Sequence, residues 1–204
     1  MAFTPEEILP YKHPLGSAPI ATHCRGTLLL ASRRALERRG HFDRYVGHLS
    51  RADADALTTA IPAAWLPIDL GVAHYRACDA LALPIDEQLE MGGEVVRNLQ
   101  RTFIGSLVKA ASTGVGITPV FGLQRFTTIY FRTIQGADAR IVRTGPKDAR
   151  VEFKGLPLSP IRYFRIAYRG FIQAGCELFA RRVVVAELDS FVGETTCAYR
   201  IAWV

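Results

Sequence analysis

A chain of 204 residues, 49% hydrophobic and 22% charged, has enough apolar side chains for one buried core and lacks the polar, highly charged balance of a disordered segment. Its longest apolar runs, such as 28–31, are too short to cross a bilayer, and residues 1–10 lack the basic-then-apolar order of a secretory signal, so a cytoplasmic location is expected. The net charge of +6 comes mainly from arginine scattered along the chain without a Lys/Arg-rich run, which gives no specific nucleic-acid signal.

Residues 1–25 contain Pro5, Pro10, Pro14 and Pro19 with little periodicity and read as an extended lead-in. After Gly26 the pattern predicts a short strand over 27–31 and a helix over 32–39, stopped by Gly40 in the left-handed conformation. A further helical turn or two is expected over 41–49. Ser50 with Asp53 three residues on approximates a capping box, and Pro62 ends the helix it opens. Residues 63–67 form a connector, with Pro67 in the first turn of a helix whose Ile68, Val72, Tyr75 and Cys78 fall near helical spacing.

Pro84 starts a longer helix with Leu89, Val96, Leu99, Phe103, Leu107 and Ala111 as its apolar stripe, and Gly92-Gly93 marks an expected break. Gly114-Val115-Gly116 is a loop. Thr118-Pro119 caps the next helix, which carries Val120, Leu123, Phe126 and Tyr130 and closes at Gly136. The period then changes from helical to two. Segments 139–144 and 150–154 are strands around a Gly145–Asp148 turn; Ser159-Pro160 opens another helix; 179–188 and 195–204 form a second hairpin. In the last strand Cys197, Tyr199, Ile201 and Trp203 alternate with Thr196, Ala198, Arg200 and Ala202, the pattern of a half-buried strand. The fold class expected is α+β. A single domain over 26–204 has a mainly helical part, 26–136, packed on a ββαββ unit, 137–204, with a four-stranded antiparallel sheet.

Chemistry-bearing motifs are few. Cys24, Cys78, Cys176 and Cys197 are scattered and read as buried thiols. His13, His23, His41, His48 and His74 share no metal-ligand spacing, and His74, within a predicted helix, reads as a surface or satisfied core histidine. There is no nucleophile elbow, Ser106 reads as a packing residue, and no catalytic or metal residue is named. Gly114-Val115-Gly116 lacks a phosphate-binding pattern and reads as a connector. Arg162, Arg165 and Arg169 line one side of the late helix, either as a patch for an acidic protein partner or a ligand carboxylate, or as a solvated flank. Phe121, Phe126, Tyr130, Phe131, Tyr163, Phe164, Tyr168 and Phe171 crowd two helices. They read as the core between helices and sheet, as the wall of an apolar cavity, or as both.

Four short elements carry a resemblance that spans the chain from about Arg25 onward: Arg25-Gly26-Thr27-Leu28; Ala64-Trp65-Leu66-Pro67; Gly170-Phe171-Ile172 with Ala174-Gly175-Cys176; and Ile201-Ala202-Trp203. In these the chain resembles an uncharacterised family abundant in myxobacteria, within the haem-NO-binding/4-vinyl-reductase-like fold group. The resemblance implies a sensor or small-ligand module, with its pocket where the helical and sheet parts meet. Some members of the group hold haem; others are linked to tetrapyrrole or hydrophobic ligands. The haem-binding branch uses a histidine on a mid-chain helix and a Y-x-S-x-R element. Here none of Tyr130, Tyr163, Tyr168 and Tyr199 begins such an element, and every histidine lies at or before His74. No haem ligand carries over, and the cofactor is left open.

Three functional readings follow. The first is a non-catalytic ligand-binding or sensory module for signalling, taking a hydrophobic small molecule in an apolar pocket, with Phe126, Tyr130, Tyr168, Phe171 and Arg165 as ligand-binding residues. The second is a protein–protein interaction or scaffolding domain that presents Arg162, Arg165 and Arg169 to an acidic partner. The third is an enzyme acting on a hydrophobic small molecule. The oligomeric state is left open, and a homodimer is compatible with the sequence.

Overall fold

The computed structural model describes residues 7–8, 18–99 and 119–204. Its main sheet is built from β5 (Asp138–Gly145), β6 (Asp148–Lys154), β7 (Val183–Glu187) and β8 (Thr196–Trp203), with the two-residue β1 (Glu7–Ile8) at one edge. All pairings are antiparallel and the order is β1-β5-β6-β8-β7. The α+β class and the four-stranded antiparallel sheet are as the sequence predicts.

Period-two patterning explains the sheet's covered face. Cys197, Tyr199, Ile201 and Trp203 on β8 are all buried, and Val151 and Phe153 on β6 sit opposite Tyr199 and Cys197. Ala198 is buried too, on the other face. Its partner across the ladder is Glu152, which is 2% exposed and held by Arg140 and Arg150 at 2.6 and 2.7 Å. The outer face is therefore closed locally by a charge-paired carboxylate. The strand expected over 179–188 begins later, at Val183, because 177–179 continue from the preceding helix in a turn, with the Phe179 amide bonded to the Cys176 carbonyl.

The front of the chain supplies β2 (His23–Arg25), α1 (Gly26–Arg38), α2 (Phe42–Val46), α3 (Arg51–Thr59), β3 (Trp65–Pro67), α4 (Ile68–Ala80) and α5 (Ile85–Leu99). The strand expected at 27–31 is instead the start of α1. The strand lies just before it, in what reads by sequence as lead-in. β2 pairs with both β3 and β4 (Ile134–Gln135) in a second, three-stranded sheet. Gly26 has to be glycine because a β-carbon there would lie 2.3 Å from the Ile61 carbonyl oxygen. Gly40, at φ +72°, provides the expected left-handed stop, and the Ser50 hydroxyl accepts the Asp53 amide at 3.1 Å.

Two long helices complete the fold: α6 (Pro119–Thr133) and α7 (Arg162–Cys176). α7 crosses α5 at backbone distance. A β-carbon on Gly92 would lie 1.7 Å from the Ala167 carbonyl oxygen, and one on Gly170 would lie 2.0 Å from that of Leu89. Gly92 and Gly170 thus each admit the other helix's backbone, and α5 runs on without the expected break. Nor does Ser159 cap α7. Its hydroxyl faces the Cys197 sulfur at 3.6 Å, and the helix's Tyr163 amide is received by the Asp79 carboxylate at 2.8 Å. Phe103, Ser106, Leu107, Ala111, Gly114–Gly116 and Thr118 lie outside the described residues.

Candidate functional site

α6 and α7 lie side by side and fix most of the wall of a cavity of about 550 Å³. Helical spacing puts Phe126, Ile129 and Tyr130 of α6 and Phe164, Tyr168 and Phe171 of α7 on it, and Leu28 of α1 and Val96 of α5 close another side. The rings form one layer. Phe164 stacks on Tyr168 at 5.0 Å between centroids, Tyr168 on Phe171 at 5.4 Å, and Phe126 meets Tyr168 at 6.1 Å. Behind them Phe153 and Tyr199 from the sheet meet Tyr168 edge-on or tilted, at 5.3 and 6.3 Å. The aromatics of the two helices therefore serve as core and as cavity wall at once.

The polar groups on the wall are few and gather mostly where β2 and the end of α6 meet. The Arg25 guanidinium donates to the Ala63 and Arg132 carbonyls and lies 4.0 Å over the Trp65 ring. Thr27 donates to the Pro62 carbonyl at 2.7 Å and Thr133 to that of Tyr130 at 2.9 Å. The Tyr130 hydroxyl is different: the residue is 2% exposed and its oxygen has no hydrogen-bond partner. Burial raises its pKa well above the phenol range, so it is neutral. Cys176, at the opposite end, has its thiol pushed up to about 12 by burial.

Four of the five ligand-binding residues read from the sequence, Phe126, Tyr130, Tyr168 and Phe171, come together on this wall. Arg165 does not. It sits on another side of α7, where it pairs with Glu187 of β7 and donates to the Ser159 and Pro160 carbonyls at 2.9 Å. The three arginines also do not form one patch, since Arg162 is exposed, Arg165 is committed to Glu187, and the Arg169 Nε is buried without a partner. At the end of α1, Arg38 and Arg39 are paired by α5: Arg38 reaches Glu94 at 2.5 Å and Arg39 reaches Glu90 at 3.0 Å. Cavity residues missed by sequence reading include Leu28, Val96 and Ile129, whose apolar character alone gave no sign of which neighbour they face.

His74 is fully buried away from the cavity. Its Nδ1 lies 2.7 Å from the Tyr45 hydroxyl and its Nε2 3.0 Å from that of Ser32; burial, with Arg33 nearby, lowers its pKa to about 3. It is a satisfied, neutral core histidine. Among the described residues no group of His, Cys, Asp and Glu could hold a metal ion, and no helix is long and apolar enough to cross a membrane.

No family model matches the chain, and no curated protein matches it in sequence. Solved structures do match in fold. The unliganded Fe(II) H-NOX protein from K. algicida aligns with a TM-score of 0.62 at 10% identity, covering 88% of this chain and 96% of that one. An H-NOX protein studied for the function of heme distortion gives 0.57 at 13% identity, with 88% and 94% covered. An oxygen-binding H-NOX domain related to soluble guanylate cyclases, in its oxygen complex, gives 0.54 at 14% identity, with 88% and 94% covered.

Among the described residues, the wall offers no histidine to hold a haem, and residues 98–121, which include the stretch between α5 and α6, contain neither His nor Cys. The chain has the H-NOX fold.

Proposed function

We propose that this protein is a non-catalytic small-ligand-binding module of a sensory kind, whose ligand is an apolar molecule held between α6, α7 and α1 without a histidine-ligated haem. The observation that carries the reading is the cavity of about 550 Å³, inside the range of small-molecule sites and walled by stacked aromatic rings with few polar atoms. The fold supports it, since the matched H-NOX proteins are described as binding oxygen or carrying haem. Catalysis has little support at the wall, because its described phenols and thiol, Tyr130, Tyr168 and Cys176, are raised by burial and no His, Asp or Glu lines the wall beside them as a general base. A role in cytoplasmic signalling is part of the same proposal. The scaffolding alternative has less behind it, since Arg165 is already paired with Glu187.

Native mass spectrometry and an absorption spectrum of protein purified from its own host test this. The expected result is a retained small-molecule mass with no Soret band. A stoichiometric haem mass with a Soret band overturns the apolar-ligand reading.

A further inference from the structure

We propose that the ligand is an elongated apolar acid, its hydrocarbon body lying along α6 and its carboxylate at Arg132; this deepens, and rests on, the ligand-binding reading above. The lining positions of α6 run from Gly122 to Thr133, a span of about 16 Å at 1.5 Å per residue. The Gly122 end is apolar. Phe179 lies so close that a β-carbon on Gly122 would be 2.5 Å from its ring, and Leu178 flanks it. The Thr133 end is where the polar side chains collect, and most of them are committed: Arg25 to two carbonyls and the Trp65 ring, Thr27 to Pro62, Thr133 to Tyr130. Arg132 lines the same end, is exposed, and its guanidinium has no hydrogen-bond or ion-pair partner among the described residues. A permanent, forked cation at one end of an otherwise apolar channel matches a carboxylate on an apolar chain.

Tyr130 gives a second, independent pointer. Its hydroxyl is buried at the wall with no partner in the protein, and such groups ordinarily have one. It lies two residues from Arg132 at the same end of the wall, so the oxygens of one head group are shared between this hydroxyl and the long Arg132 side chain. A ligand oxygen accepting from this hydroxyl completes its hydrogen bonding.

Titration calorimetry with dodecanoate, methyl dodecanoate and dodecanol, each below its aggregation limit, separates the possibilities. Dodecanoate should bind at least about tenfold more tightly than the ester, and Arg132→Gln should remove that preference while leaving ester binding unchanged. Tyr130→Phe should weaken all three probes several-fold and leave the acid-to-ester ratio intact. Equal affinity for acid and ester, or a preference that survives R132Q, overturns the acid proposal but leaves the cavity reading in place. Failure of all three probes and of a neutral apolar dye overturns both.

Discussion

A charged imidazole at His74 would lose its hydration between Tyr45 and Ser32 without gaining a counter-ion, and Arg33 adds repulsion. The folded-state pKa of about 3 lies below the unfolded value of 6.5, so the unfolded chain takes up a proton in that interval and the folded one does not. This contribution to stability is complete above pH 6.5 and is lost as the pH falls toward 3, at up to ~1.4 kcal/mol per pH unit. Urea unfolding from pH 7.5 to 4 should show this slope, and His74→Gln should flatten it. At the cavity wall, Tyr130→Phe removes an unpartnered buried hydroxyl and should raise the stability of the ligand-free protein by ~1 kcal/mol, read as a higher thermal midpoint. Sequence named Tyr130 as a ligand contact but could not see that its hydroxyl lacks a partner. That depends on the whole wall, as does the turning of Arg165 toward Glu187.

The crossing of α5 and α7 is the element-scale feature on which the cavity's geometry rests. Gly92→Ala or Gly170→Ala places a methyl within 2.0 Å of a carbonyl oxygen and should cost ~3 kcal/mol in urea unfolding, because two backbones must separate. Gly175→Ala, with nothing within 4 Å, should be neutral or slightly stabilising in the same assay. Glycine's poor helix propensity suggested a break at Gly92-Gly93, yet the helix is continuous. Propensity is a local quantity, and here the missing side chain serves a contact some 75 residues away in the chain. The start of α7 was unreadable for the same reason: its acceptor, Asp79, comes from α4. The caps at Ser50 and Gly40 were legible because their partners lie within a few residues.

At the scale of the whole molecule, the sheet and fold class were legible because period-two burial is written into β8 and β6 directly. The cavity was legible only as a crowd of aromatics on two helices, which fits a filled core equally well. Whether such rings fill a core or wall a cavity depends on which residues of other elements, such as Leu28, Val96 and Phe179, they face, and no local pattern records that. The cavity's occupancy by an apolar ligand is tested most directly with a neutral dye, N-phenyl-1-naphthylamine, and the cavity-filling variant Ile129→Trp. The wild-type thermal midpoint should rise with dye, by the equivalent of ~2.7 kcal/mol at a hundredfold excess over Kd, and the variant should lose that rise while still folding. An equal rise in both proteins, or none in the wild type, contradicts the account.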